Sequence, residues 1–403
     1  MTRRLAPDSV KWAGLAFLAA WASELTGCGS QTSGAGGPVV RDSAGVEIVE
    51  NLDLRWNAEE GWSVDPVPEL DLATSGRGAP HEFDRVTDAT RLRDGTVAVA
   101  DYTSREVRLF SASGEFLRRV GREGEGPGDF QRLRSVDRYR GDSVVVYDHS
   151  LSRVTVLSPE WEAARFISLR EIADRVPELY PVTDSTFVSF VFSYSSIRDV
   201  LGYYRIPVAV VRLSAIGTVL DTLAVVPGWD GFSVPRGDLR PLFSRSAHMD
   251  VGRGQFVIGT ADRMEYQQFS ADGALVRIVR VPEYDLSLSS SDVERERQAL
   301  MPEDLPAVIR VAVERMPPPT SRPAYSDLLL DSEGYVWAAV YHALFELDLP
   351  TEWQVFDPQG VWLGAVQFPS RFDAFQIGRD YVLGRLRDDL DVEHVQVLRL
   401  HRR

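Results

Sequence analysis

Thiols are almost absent from this sequence. Cys28 is the only cysteine, so no internal disulfide can staple the fold. Six histidines are scattered without short ligand spacing, which leaves no set for a structural zinc site. Lysine is just as scarce: Lys11 is the only one, and every other cation is an arginine. A GC-rich coding sequence produces that skew, and arginine adds planar, two-pronged pairing that lysine lacks. Positive charge is also in deficit, with 44 Lys and Arg against 59 Asp and Glu and a net charge of −15. Such a chain repels phosphate backbones, which argues against nucleic acid as a partner. Long apolar runs are missing too, since the strongest, Trp12 to Trp21, falls short of the about 20 residues a membrane helix needs. What remains is an ordinary globular composition, 44% hydrophobic and 26% charged, enough for a sizeable core.

The one apolar run has a context. Arg3, Arg4 and Lys11 precede or open it, and small residues follow it before Leu25-Thr26-Gly27-Cys28. A basic start, a short apolar stretch and small residues describe a secretory signal. Leu25-Thr26-Gly27-Cys28 resembles the bacterial lipobox. That resemblance implies cleavage before Cys28, a signal peptide over residues 1–27, and palmitate-type acylation anchoring Cys28 to a membrane. A simple signal peptide with an incidental cysteine and an uncleaved anchor are the alternatives, and both keep the protein outside the cytoplasm. Residues 28–39 are rich in Gly and Ser, the composition of a flexible linker. Gly29 stands where enteric lipoproteins carry an inner-membrane retention Asp, so the resemblance implies the outer membrane, on its periplasmic or surface face.

From residue 40 to 403 the pattern is one of short apolar strands between turns. One turn type precedes a strand six times: Asp94-Gly95, Gly141-Asp142, Asp184-Ser185, Arg253-Gly254, Glu333-Gly334 and Arg379-Asp380. A second type follows about one strand later, at Ser111–Gly114, Ser158–Glu160, Ser214–Gly217, Ser270–Gly273 and Asp357–Gly360. It occurs five times, because the sixth unit ends at His401-Arg402-Arg403. Repeats of roughly 40–50 residues with four strands each match propeller blades. The expected fold is all-β: a six-bladed β-propeller closed by an N-terminal strand, with a short helical insertion near 287–316. Blades are expected near 80–121, 130–170, 180–227, 243–282, 324–368 and 372–400 with 40–75. Either Val64–Leu72 or Gly45–Val49 can donate the strand the last blade lacks, leaving no long open edge. A seventh blade would need a unit hidden in one of the two long gaps.

Gly121 to Phe130 (GREGEGPGDF), with Phe110, Gly114 and Phe116 upstream, resembles the blade boundary of NHL-type six-bladed propeller lipoproteins of bacteria. The glycines suit a tight crossing, and Pro127 fixes one φ. They are not a phosphate loop, because no Gly-Lys-Ser/Thr ending follows. Six-bladed propellers include calcium-dependent lactonases and a zinc-dependent lyase, so the resemblance leaves catalysis open. Asp101, Asp148 and Asp262 follow the second-strand signal in three blades. They could ring one face as calcium ligands, or each could cap a turn. His149, His248 and His342 lie near strands without an organising carboxylate spacing, and no Gly-x-Ser-x-Gly elbow occurs.

Three segments exceed what blade turns need. Pro282 to Pro323 is expected to hold two helices. One lies near Val293–Met301; the other opens at Pro302, with an apolar face of Leu305, Val308, Ile309, Ala312, Val313 and Met316. That face either packs on the propeller, covers one channel mouth as a lid, or docks a partner. Tyr194–Ile206 and Pro227–Arg245 are expected as long loops, the first with Tyr203, Tyr204 and Arg205, the second with Trp229, Arg236 and Arg240. Aromatics beside arginines form recognition surfaces; alternatively the aromatics plug the propeller centre and the arginines are solvated. The expected function is a monomeric, non-catalytic binding or scaffold propeller at the cell envelope, holding a protein, peptide or glycan. A metal-dependent hydrolase or lyase in the channel, with calcium as its candidate cofactor, is the alternative.

Overall fold

The computed structural model describes residues 37–57, 60–172, 176–192, 200–235 and 237–402. Cys28 and Arg236 lie outside these residues. The described strands form six sheets built on one plan, an antiparallel meander of four strands, a to d. Sheet 1 comprises Val86–Arg91, Val97–Asp101, Glu106–Phe110 and Phe116–Val120. Sheet 2 comprises Leu133–Arg138, Val144–Asp148, Arg153–Leu157 and Ala163–Ser168. Sheet 3 has Tyr180–Pro181, Thr186–Val191, Gly202–Ser214 and Val219–Val234, with Gly237–Leu239 added. Sheet 4 has His248–Gly252, Gln255–Gly259, Glu265–Ser270 and Leu275–Arg280. Sheet 5 has Tyr325–Leu330, Val336–Val340, Pro350–Phe356 and Trp362–Ser370. Sheet 6 has Phe372–Ile377, Tyr381–Arg387 and Glu393–His401.

The six-fold turn is the a–b turn of each sheet, and the five-fold one is the c–d turn. Four c–d turns end on a glycine with φ between 82° and 88°: Gly114, Gly217, Gly273 and Gly360. Trp161 takes that left-handed position in sheet 2, at φ 65°, a conformation that costs a side chain with a Cβ. Strands b and c are buried on both faces, so they read as near-continuous apolar runs such as Val144–Asp148.

Adjacent sheets pack face to face. Apolar clusters fill the spaces between sheets 1 and 2 (Ala98, Val107, Val136, Val146), 2 and 3, 3 and 4, 4 and 5, 5 and 6, and 6 and 1 (Leu383, Val395, Val97, Phe110). Each a strand touches the next one round, and Phe372–Ile377 touches Val86–Arg91. The core is therefore circular rather than central, the signature of the propeller fold.

The N-terminal segment binds two distant sheets. Val39–Ser43 and Val46–Glu50 form a hairpin whose second strand lies parallel to Leu275–Arg280 of sheet 4. Glu47 pairs with Arg277 at 2.5 Å, and Glu50 with Arg280 at 3.6 Å. The chain then crosses sheet 5, where Trp56 lies against Gly364, whose missing Cβ leaves room for the indole. Ser63–Val64 and Leu70–Asp71 finally pair antiparallel with Glu393–His401 of sheet 6. Of the two candidate donors, the Val64–Leu72 region thus joins the last sheet. Gly45–Val49 does not, because its charges match the outer strand of sheet 4.

The two expected long loops are corrected in part: residues 193–199 and 236 lie outside the described residues, and 240–245 carry no strand, as expected. Residues 202–206 and 227–234 continue strands c and d of sheet 3 as a paired hairpin, Tyr203 opposite Phe232 and Arg205 opposite Asp230. A bulge between Arg205 and Pro207 bends the extension where two prolines face each other across the strands. The helical insertion is present as α1 (Ser290–Ala299) and α2 (Ala307–Glu314). Ser289 caps α1 in a capping box with Asp292. The second helix starts later than expected, after Pro306 rather than Pro302, because Pro302–Leu305 closes its own turn first.

Candidate functional site

The d–a crossovers and b–c loops lie on one side of the ring, here the upper face, and the a–b and c–d turns on the lower. Both insertions belong to the upper face. Leu242, Phe243, Val313, Met316, Tyr341 and Ala343 bury together into a seventh cluster, with Phe232, Leu239, Val293 and Ile309 packed around it. The helices therefore rest on the sheet 3 extension and on the b–c loop of sheet 5. Glu296 of α1 is fully buried, and its Oε2 accepts the Leu344 N–H at 2.7 Å. Burial pushes its carboxyl up, while that N–H and Arg240 pull it down.

The recognition residues expected from sequence separate into different roles. Trp229 packs edge-on against Phe190 and Phe192 of sheet 3. Arg240 donates to the Tyr341 hydroxyl at 3.3 Å within the seventh cluster. Arg205 donates to Asp262 at 2.6 Å and to the Thr260 carbonyl at 2.6 Å. Asp230, its side chain 1% exposed, accepts from the Tyr203 hydroxyl at 2.6 Å and from the Arg245 N–H at 2.9 Å. Burial pushes the Tyr203 hydroxyl up to about 12, assisted by Asp230. Tyr204 lies against Gly231, where a side chain would have no room. These residues tie the extension to the ring, and none of them plugs the centre. Tyr203 alone of the described ones is largely exposed, at 47%.

The three aspartates placed as calcium ligands do other work. Asp148, fully buried, accepts from the N–H groups of Gln131, Arg132 and Leu151 at 2.6, 3.0 and 2.9 Å. Asp101 accepts from Ser104 at 2.8 Å and Asp84 at 3.3 Å, and faces Arg108 at 3.5 Å. Both cap a b–c turn and fasten the start of their own a strand. Asp262 is the partner of Arg205. Among the described residues no three His, Cys, Asp or Glu side chains gather as a metal set, and of the two readings open from sequence, Asp101 and Asp148 follow the turn cap. His248 and Asp327 stand 3.7 Å apart, and His149 Nδ1 lies 3.2 Å from the Val176 carbonyl oxygen.

Sequence reasoning missed the acidic groups at the hub. Asp88, Asp137, Asp250, Asp327 and Asp373 lie on the a strands of five sheets, and Glu178 just precedes the sixth. An inner strand leaves one edge of N–H groups unpaired. Here neighbours satisfy it: Asp88 accepts from Val136 at 2.8 Å, Asp250 from Leu330 at 2.6 Å, and Gln376 from Arg91 at 2.8 Å. In each case a side chain of one sheet accepts from the next sheet round. Burial raises the carboxyls of Asp88 and Asp250 well above the usual range, with Asp137 adding repulsion to both. Burial likewise raises Asp137, to about 7, with Glu178 adding repulsion. The signal was present in the sequence as one acidic residue in five a strands and one just before the sixth.

Two clefts mark the surface. One of about 480 Å³, mainly apolar, lies between sheets 4 and 5 beside Leu52, Leu54, Tyr284 and Trp362. The other, about 330 Å³ and polar, opens among the a–b turns of sheets 1 to 4 on the lower face.

No family profile matches this chain. No curated protein matches it either. Solved structures do. A candidate exported protein from Bacteroides fragilis superposes with a TM-score of 0.51 at 11% identity, covering 88% of this chain and 99% of that one. The likeness is one of fold. A DUF4221 protein from Bacteroides vulgatus reaches 0.44 at 11% identity, over 84% of this chain and 98% of its own. A gluconolactonase from Xanthomonas campestris reaches 0.41 at 12% identity, over 79% and 88%.

Proposed function

We propose that this protein is an exported, NHL-like six-bladed β-propeller, tethered by a lipid on Cys28, that holds a partner protein on its upper face without catalysis. Residues 1–27 are its signal peptide, 28–39 its leash and 40–403 its propeller, closed by the pairing of residues 63–71 with the last strand. Six sheets joined by six inter-sheet cores support the blade count, and an exported protein among its fold relatives supports the compartment. A leash of that length spans at most about 40 Å. Val39–Ser43 runs antiparallel to a strand that ascends to the upper face, so the described chain begins on that side. The upper face therefore stays close to the bilayer, where envelope proteins are available.

The observation that carries the reading is what the upper face exposes. α2 buries Val313 but leaves Val308 and Val311 55% and 42% exposed. Leu201, Leu347, Leu349 and Leu390, on b–c loops of the same face, are also exposed. Bare aliphatic groups on two insertions suit a protein surface better than a glycan, which stacks on aromatic rings. A photo-crosslinker placed at Val308 in intact envelopes is expected to give one discrete adduct, lost in Val311→Glu. One placed at Ile216, on the lower face, is expected to give none. Equal labelling from both positions would overturn the reading. Radiolabelled palmitate in wild type but not in Cys28→Ala tests the tether separately.

A further inference from the structure

The geometry points to a second site, on the lower channel mouth, that binds an oxyanion. The polar cleft there draws Arg93 from sheet 1, Arg138 and Arg140 from sheet 2, and Arg253 from sheet 4 into one concavity of about 330 Å³. Asp142 and Asp184 also line it, so arginines outnumber acids by four to two.

All four arginines are exposed to solvent at the rim of the concavity, unlike the half-buried Arg212 and Arg322, which are engaged by Asp221 at 2.7 Å and Glu346 at 2.9 Å. In the cleft, Arg93 reaches Asp142 only at 3.9 Å, and Arg253 donates to the Glu333 carbonyl at 3.2 Å. Among the described residues, Arg138 and Arg140 make no side-chain hydrogen bond or ion pair; Arg140 lies over the Tyr139 ring, 5.6 Å from its centre. The Tyr139 hydroxyl is itself fixed on the Asp184 carbonyl at 2.7 Å, which holds the ring as a floor.

Guanidinium groups that share a concavity repel one another unless an anion sits between them, and their planar forks match carboxylate and phosphate oxygens. Asp137 at the hub lies close enough to Arg138 for the two charges to attract. A terminal phosphate or a uronic-acid carboxylate fits that chemistry, whereas a neutral sugar offers hydrogen-bond acceptors but no charge to balance four guanidinium groups.

Isothermal titration at constant ionic strength, with pyrophosphate in one arm and digalacturonate in the other against sodium chloride, tests the site. At least one oxyanion is expected to bind, and Arg138→Gln with Arg140→Gln to weaken it by about tenfold or more. The control Arg263→Gln, an exposed arginine on the upper face, is expected to bind as wild type does. Binding of pyrophosphate alone assigns a phosphate source, and of digalacturonate alone a carboxylate source. Failure of both to exceed chloride overturns the proposal, as does unchanged binding by a double variant whose melting temperature matches wild type.

Discussion

Arg402 offers the sharpest test of how the ring is held. It donates to the Asp331 carboxylate at 2.7 Å and to the Gly378 carbonyl at 2.8 Å. Its guanidinium lies 4.5 Å over Trp62 and 5.1 Å over Tyr335. One side chain thus ties the end of the last strand to the turns of sheets 5 and 6 and to the N-terminal segment. Asp331 is fully buried and also accepts the N–H groups of Glu333 and Tyr335 and the Trp337 indole N–H, at 2.8 to 2.9 Å. Removing one partner of a buried pair costs roughly 3–5 kcal/mol, and losing a desolvated cation–π contact adds about 1 kcal/mol. Against that, Asp331 keeps three donors, and Arg402 Nε and Nη1, buried without partners, are deleted with the residue. Arg402→Ala should therefore cost about 3 kcal/mol. With an unfolding entropy of about 2.1 cal/mol/K per residue over some 360 residues, that is a fall of about 4 °C in Tm. Scanning calorimetry reads the shift, and a double-mutant cycle with Asp331→Asn should return a coupling of about 2 kcal/mol. A Tm within 1 °C of wild type, or strictly additive single variants, would refute the reasoning.

The hub carboxylates make stability pH-dependent. Asp88, Asp137 and Asp250 titrate above their unfolded values, so between about pH 4 and pH 7 the folded chain holds more protons than the unfolded one. Their contribution is complete below the unfolded value and is lost as pH rises through the folded one. Urea midpoints should rise from pH 8 to pH 5, with stability gaining up to about 1.4 kcal/mol per pH unit for each such group between its unfolded and folded values. His342, whose half-buried ring resists protonation, opposes this below pH 6.5. A matched Asp137→Asn variant isolates the acidic part by flattening the slope; an unchanged slope would count against it. Chelation should leave Tm unchanged, because Asp101 and Asp148 are occupied by backbone N–H groups; a drop beyond 2 °C in scanning fluorimetry would contradict that. Trp62→Ala should cost about 3–5 kcal/mol by opening the stack with Trp56, Tyr335 and Trp337, seen as a lower Tm.

The periodic part of the molecule was legible, because turn chemistry is local. Asp94-Gly95 or Ser111–Gly114 specifies a reversal within four residues, and the same reversals recur around the ring. Long-range choices were not legible. Glu47 and Glu50 select Arg277 and Arg280 more than 220 residues away, and only the folded arrangement brings these charges together. The sheet 3 extension was hidden by Pro207 and Pro227, which look like loop signals in one dimension and sit at a bulge in three. Asp101 and Asp148 were recognised as equivalent positions, yet equivalence alone could not separate turn caps from ligands. The lower cleft was not legible either, because Arg93, Arg138, Arg140 and Arg253 come together only when the turns of separate sheets are placed side by side.

The segment between Val39 and Asp71 also governs when the protein can become itself. Its docking strands, Leu275–Arg280 and Glu393–His401, emerge more than two hundred and more than three hundred residues later. Contacts of such separation make folding slow, since the connecting chain must be ordered before they repay the cost. The earliest-made part waits for the last-made part, and until then sheets 4 and 6 each keep an outer edge open. A polypeptide with this wiring cannot close its ring until its last strand has been made.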